Sequence, residues 1–358
     1  MVFERPISRR SLLSALSLLP VFGGLQAQDK GISQETPTFA TGVKVVNLFA
    51  NVRDKSGAIV KNLTRDDFLL DEDGRAQVIR YFSQESDLPL SLGLLVDTSG
   101  SQRNLIEEER AASYRFFEQV LRPEKDVAFV IHFDFDVELL QDITASRRLL
   151  EKALEDLSAP AQQRQQRQQQ RYPIPGPFPG SGRGGGRGRS AGGRGGHGGG
   201  TMLYDAILLA SDELMRKQKG RKALILLSDG VDTGSKVSLS SAVEAAQRAD
   251  TLVYSILFED PGMYGGGFGG GRMGQVGLAD GKKVMERISH ETGGRYFEVS
   301  KKRTLGKVYD EIDEDLRHQY SLGYTPERGD AAGGYHRIHL ATRQKGMTVQ
   351  AREGYYGT

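Results

Sequence analysis

Cysteine is absent from this 358-residue chain, which excludes a disulfide framework, a thiolate metal site and a cysteine nucleophile. The absence does not argue against export, because a chain of this length can bury a good core without bridges. Tryptophan is absent as well, and nothing follows from that. Long apolar runs are equally scarce. The best one, Leu12 to Phe22, is too short and too broken by Pro20 to span a bilayer, which takes about 20 residues. No other stretch could span. Metal-binding histidine patterns are also missing. His132, His290, His318, His336 and His339 stand apart, none in a spacing such as H-x-x-x-H, and read as structural or surface residues.

What is present begins with an export segment. Arg5, Arg9 and Arg10 precede the short apolar run, and Leu25-Gln26-Ala27 offers a cleavage site before Gln28. Ser8-Arg9-Arg10-Ser11-Leu12-Leu13 also resembles a twin-arginine signal, with an ordinary secretory signal as the alternative. The expected product is a soluble protein outside the cytoplasm, periplasmic or secreted, with no transmembrane segment.

Charge is unevenly spread. The whole chain carries +2, and residues 1–27 hold three arginines and one glutamate, so the remainder is near neutral. Residues 159–200 contain seven arginines and no acid, which leaves the rest of the mature chain at about −7. This Gln/Arg/Gly-rich stretch is expected to be disordered, since it cannot bury enough apolar surface to order itself. Its arginine-glycine repeats would suit single-stranded nucleic acid, a reading that export disfavours. It ends on Thr201, so it could instead lie over a neighbouring acidic site and be screened off by salt. A smaller glycine-rich loop runs from Met263 to Gly277.

The chain is organised around Leu92 to Ser101, LGLLVDTSGS. Its apolar run reads as a buried parallel strand that stops at Asp97. Asp97, Ser99 and Ser101 then follow at alternate positions, so an extended turn points all three one way. A carboxylate with two hydroxyls is what a small hard cation such as magnesium accepts. The same residue types also make ordinary strand-ending turns and helix caps. Two later stretches weigh against that reading. GGGTMLYDAI places Thr201 at the start of an apolar helix, and ALILLSDG is a second buried strand ending on Asp229.

Asp97-x-Ser99-x-Ser101, then Thr201, then Asp229 resembles the metal-ion-dependent adhesion site of the von Willebrand factor type A (VWA) family, in all five positions and in order. LPLSLGLLVDTSGS, LYDAI, ETGGRYFEV and AREGYY further resemble the VWFA-related proteins abundant in acidobacteria. The resemblance implies that Ser99, Ser101 and Thr201 touch the metal through hydroxyls while Asp97 and Asp229 act largely through bound water. It implies Mg²⁺, with Mn²⁺ or Ca²⁺ as alternatives, and an open coordination position filled by an Asp or Glu carboxylate of a partner protein.

Strands and helices alternate from Leu92 to Val299, which predicts an α/β fold with a doubly wound, mostly parallel sheet, Rossmann-like in layout. Site residues fall where strands hand over to loops, as the switch-point rule expects. Residues 42–90 read as strands, with a turn at Asp54–Gly57, a helical turn capped by Thr64 and Asp67, and a hairpin around Glu72–Arg75 flanked by Phe68–Leu70 and Val78–Phe82. A helix capped by Thr304 and strands near Tyr320–Tyr324, Ile338–Leu340 and Val349–Ala351 close the chain. Each set alone is marginal. The expectation is therefore one small β-sandwich from both termini, with the VWA part inserted. The boundaries are 1–27 signal, 28–41 flexible, 42–90 first half of the sandwich, 91–302 VWA domain and 303–358 second half.

The expected function is non-enzymatic metal-dependent protein binding. A metal-dependent hydrolase and an envelope scaffold with a vestigial site are the alternatives. Against an enzyme, Ser99 sits between Thr98 and Gly100 with no G-x-S-x-G elbow and no general base at a readable position. Asp134 and Asp136 read as a solvated turn, Asp232 as a turn residue, and Asp205 as a brace for the Thr201 loop.

Overall fold

The structure, a computed structural model, describes residues 45–84, 88–99, 106–157, 200–258, 273–326 and 334–357. The export segment, Ser101, residues 159–199 of the arginine-rich insertion and residues 263–272 of the glycine-rich loop lie outside the described residues. The described residues contain no helix long and apolar enough to cross a membrane.

Strands β1 (Val46–Arg53), β2 (Phe68–Glu72), β3 (Arg75–Ala76) and β4 (Ile79–Ser83) come first. The central set follows as β5 (Leu90–Asp97), α1 (Ile106–Val120), β6 (Val127–Phe133), β7 (Val137–Thr144), α2 (Arg147–Glu155), α3 (Leu203–Leu209), β8 (Arg221–Ser228), α4 (Leu239–Arg248), β9 (Leu252–Leu257), α5 (Met273–Thr292) and β10 (Tyr296–Glu298). Helix α6 (Leu305–Arg317) then leads to β11 (Tyr320–Tyr324), β12 (Tyr335–Thr342), β13 (Thr348–Gln350) and β14 (Gly354–Tyr356).

The central sheet has the order β10-β9-β8-β5-β6-β7 and is parallel except for the β6–β7 edge pair. Every residue of β5 and of β8 is buried, as strands covered on both faces must be. Their side chains alternate between two cores. Leu92, Leu94 and Val96 of β5, with Ile225 and Leu227 of β8, pack under α1, α2 and α6. Leu95, Leu224 and Leu226 pack on the other face under α3, α4 and α5. The fold class is the one expected, an α/β sheet wound on both faces.

The termini build two antiparallel sheets, β13-β1-β11-β4 and β14-β12-β2-β3. Leu48 pairs with Leu322 and Leu70 with Leu340 across them. Leu48, Val52, Phe68, Leu70, Tyr320 and Ile338 share one core. Asp315, fully buried at the end of α6, joins this sandwich to the central sheet by pairing with Arg53 at 2.5 Å and Arg295 at 2.8 Å. On the same junction Arg352 pairs with Asp250 at 2.6 Å.

Two sequence expectations need correcting. The hairpin at Glu72–Arg75 closes only over β2 and β3; β4 crosses to the other sheet and pairs with β11, because a two-layer core rewards burying Ile79 beside Tyr324. The apolar helix expected after Thr201 is regular only from Leu203 to Leu209, then widens into a π turn over Ala210–Leu214 and tightens over Met215–Lys217. That change of pitch keeps Ala210, Leu214 and Met215 in the core. The strand expected near Val349 is present as β13, and a further short strand, β14, closes the other sheet. The Thr64–Asp67 turn is as expected, with Thr64 N and Oγ1 both donating to Asp67 Oδ2 at 2.8 Å.

Candidate metal centre

Strand β5 lies between β6 and β8, so its C-terminal end opens beside the ends of both. Three segments meet there. Asp97 ends β5, Thr201 precedes α3, and Asp229 follows β8. The chain between them is stitched by backbone hydrogen bonds. Met202 N donates to Asp134 O at 2.7 Å, and Thr233 N and Gly234 N both donate to Thr201 O, at 3.1 and 3.0 Å. Thr201 N donates to Thr233 Oγ1 at 3.2 Å. The loop after β8 turns at Gly230, whose φ of +77° suits glycine. A Cβ there would also stand 2.3 Å from Gly281 O, so only glycine lets this loop pass so close to α5.

Asp97 has no exposed surface. Its Oδ1 accepts from Ser99 N at 2.9 Å, and its Oδ2 accepts from Ser228 Oγ at 2.7 Å. Ser228 in turn accepts from Gly230 N at 3.0 Å, and Asp229 Oδ1 accepts from Val231 N at 3.0 Å. Asp229 is itself 4% exposed. Burial first, then the neighbouring Asp229 charge, push the Asp97 carboxyl up to about 7, while the Ser99 and Ser228 hydrogen bonds pull the other way. Two buried carboxylates in electrostatic contact are a costly arrangement unless a cation joins them.

A third acid deepens the same field. Glu109 of α1 is 1% exposed, and neither carboxylate oxygen has a hydrogen-bond partner among the described residues. Burial and then the Asp97 charge raise its carboxyl well above the usual range. An orphaned acid beside Asp97 fits a site completed by positive charge. The donors brought together are carboxylates and hydroxyls, the set a hard cation takes. Asp97, Ser99, Thr201 and Asp229 are all placed on the three adjoining segments; Ser101 falls outside the described residues.

Ser228 and Glu109 escaped the sequence reading. Ser228 stands one residue before Asp229, where strand alternation turns it toward Asp97. Glu109 interrupts the apolar stripe of α1, in register with Ile106, Ser113, Phe116 and Val120; a charged residue on a core face was the available signal. Asp205 braces the loop after β8 by accepting from Lys236 N and Val237 N, each at 3.1 Å. Asp232 holds a turn, accepting from Ser235 Oγ at 2.5 Å. Asp134 and Asp136 close the β6–β7 turn.

Residues 195–311 match the sequence model of the von Willebrand factor type A domain. The match takes in Thr201 and Asp229, and the sheet places β5 with Asp97 and Ser99 alongside. A search of curated proteins found no matching sequence. Among solved structures, the chain is similar to the conserved hypothetical protein BatB from Bacteroides thetaiotaomicron, at 16% identity and a TM-score of 0.41 over 64% of this chain and 97% of that one. It is similar to proximal thread matrix protein 1 from the mussel byssus, described with a zinc-occupied MIDAS motif, at 12% identity and a TM-score of 0.43 over 68% of this chain and 49% of that one. The vWF domain of the type V pili tip protein Mfa5 from Porphyromonas gingivalis matches at 12% identity and a TM-score of 0.40, over 64% and 95% of the two chains. Residues 195–311, with Thr201 and Asp229, are thus similar to the von Willebrand factor type A domain, and the doubly wound sheet is the fold that this similarity implies.

Proposed function

We propose that this protein acts outside the cytoplasm as a non-enzymatic binding module. Asp97, Ser99, Ser101, Thr201 and Asp229 hold a divalent cation, magnesium in the first instance, and the cation's free position takes an Asp or Glu carboxylate of a partner protein. VWA domains are typically protein-interaction modules, which supports the class of function.

The observation that carries the reading is the buried Asp97 carboxyl, pushed up to about 7 by burial and by Asp229. A divalent ion bound there would let both acids ionise. It would then present its remaining positive charge to an incoming carboxylate, whose burial otherwise costs several kcal/mol. Export rests on the Met1–Ala27 segment, and the identity of the partner is defined only by its acidic group.

Calorimetric titration of Mg²⁺, Mn²⁺ and Ca²⁺ into the chain tests the site. One cation per chain is expected, lost in Asp97→Ala. Partner or model-carboxylate binding should follow the metal and vanish in chelator. Wild-type affinity in a Ser99→Ala, Ser101→Ala double variant would end the reading.

A further inference from the structure

A second constellation lies in the β-sandwich, in residues that are distant in sequence. Strand β2 ends at Glu72, and the chain reverses through Asp73 and Gly74, whose φ angles of +50° and +76° mark a two-residue turn of the primed kind. Strand β12 runs beside β2 in antiparallel register, Ile338 opposite Glu72, which brings His336 level with the turn. Asp73 N donates to Arg337 O and Arg337 N donates to Asp73 Oδ1, both at 2.9 Å, so the turn is locked to β12. Asp73 Oδ2 is left facing His336 Nδ1 at 2.9 Å, and Glu72 Oε1 lies 3.5 Å from the same nitrogen.

We propose that Glu72, Asp73 and His336 form a second divalent-metal site, independent of Asp97 and suited to a borderline cation such as zinc. One ligating atom from each residue lies within 4.8 Å of the others. In a tetrahedral site with bonds of about 2.0–2.1 Å, ligand atoms stand roughly 3.3 Å apart. The two distances from His336 Nδ1, 2.9 and 3.5 Å, straddle that edge. One imidazole with two carboxylates is a donor set for zinc or a similar transition ion rather than for magnesium, which prefers oxygen alone.

Burial separates this reading from a plain ion pair. The Glu72 side chain is 8% exposed. Tyr355 hydroxyl donates to its Oε1 at 3.0 Å, while Oε2 is buried with no hydrogen bond of good geometry among the described residues, the Tyr324 hydroxyl lying near the same carboxylate. The His336 Nδ1 contact at 2.9 Å goes to Asp73, and Glu72 stands farther from it at 3.5 Å. A cation held by Glu72, Asp73 and His336 would set positive charge beside this buried carboxylate, whose removal from water is otherwise costly. The outer contacts are those a ligand set needs. Tyr355 orients Glu72, and the Tyr355 ring stacks on the His336 ring at 5.2 Å and 27°. Asp73, 49% exposed on its side chain, opens the site to solvent for entry and for the remaining water ligand.

The test is Zn²⁺ titration of the full chain by calorimetry, in wild type, Asp97→Ala, His336→Ala and Glu72→Gln. Zinc also suits the site at Asp97, so two ions per chain are expected in wild type and one in each of Asp97→Ala and His336→Ala. Glu72→Gln keeps the shape and the Tyr355 contact and so guards against a folding artefact; its second-site affinity should fall at least tenfold. In the Asp97→Ala chain, excess Mg²⁺ should leave zinc binding intact, because magnesium prefers an all-oxygen donor set. Co²⁺ should give visible absorption that His336→Ala abolishes. No zinc binding in Asp97→Ala, or binding there that His336→Ala and Glu72→Gln leave unchanged, would overturn the proposal and return these residues to an ion pair.

Discussion

Strand β5 begins at Leu90 and ends at Asp97, and a buried carboxylate stands at each end in opposite circumstances. At the start, Asp126 is 1% exposed. Its Oδ1 accepts from Leu90 N at 2.8 Å, and its Oδ2 accepts from Arg122 N and Nε, both at 2.9 Å. Arg122 also reaches Leu88 O at 2.8 Å. Burial raises the Asp126 carboxyl, but the Arg122 hydrogen bonds and charge outweigh it, and the group ends below the usual range. At the far end, the carboxyl of Asp97 has hydroxyl and backbone partners, a second acid beside it, and a raised pKa. The same sheet thus sets a guanidinium beside one buried acid and a second acid beside the other. A carboxylate with its own guanidinium is architecture, whereas one facing another carboxylate is what the proposed cation would relieve.

The comparison breaks first at the Asp126 end. Asp126→Asn should cost about 3 kcal/mol of stability, because it strands the Arg122 guanidinium in a partly buried place. Asp97→Asn in metal-free buffer should cost nothing or stabilise, because it relieves repulsion with Asp229. Urea unfolding of the two variants side by side measures this, and equal losses would dissolve the contrast.

The pH response sharpens it. A raised folded pKa means that the folded chain holds a proton the unfolded chain has released, so stability is present at low pH and is lost as pH rises through the folded value. The Asp97 carboxyl alone should therefore weaken the metal-free protein by up to about 1.4 kcal/mol per pH unit between roughly 5 and 6.5, and Glu109 adds a contribution of the same sign. Saturating Mg²⁺ or Asp97→Asn should flatten that slope, and Glu109→Gln should flatten part of it. Asp126 has the opposite sign. Its contribution is present above about pH 4 and is lost only as pH falls through its depressed folded value. Thermal melts across pH, with and without Mg²⁺, separate the two ends.

The smallest expected effect is at Ser228. Ser228→Ala removes a neutral donor from Asp97 and should cost about 1 kcal/mol, less than the charged partner is worth at the other end. A loss as large as that of Asp126→Asn would mean that the hydroxyl does far more than donate one hydrogen bond.

Much of this was legible before any coordinates. Gapless runs such as Leu224–Leu227 mark strands covered on both faces, and Asp97 and Asp229 follow such runs, so the sequence places both at strand ends. Glu72-Asp73-Gly74-Arg75 announces its turn through an Asp-Gly pair. Other features were out of reach. The partner of β4 depends on which layer of the sandwich buries Ile79, and the π turn after Leu209 depends on which core Met215 must reach. His336 showed no metal spacing because its companions lie 264 and 263 positions earlier in the chain.

By itself, then, the sequence determined the elements, the two-faced burial of the central strands and the order of the hydroxyl and carboxylate donors, because periodicity and local turn chemistry act over a few residues. Only the tertiary structure decided which charges face one another. Asp97 meets Ser228 and Asp229 from 131 and 132 residues away, Glu109 is orphaned beside them, and Asp126 has its guanidinium. Burial and Coulomb energy depend on distance through the fold, and sequence separation does not fix that distance.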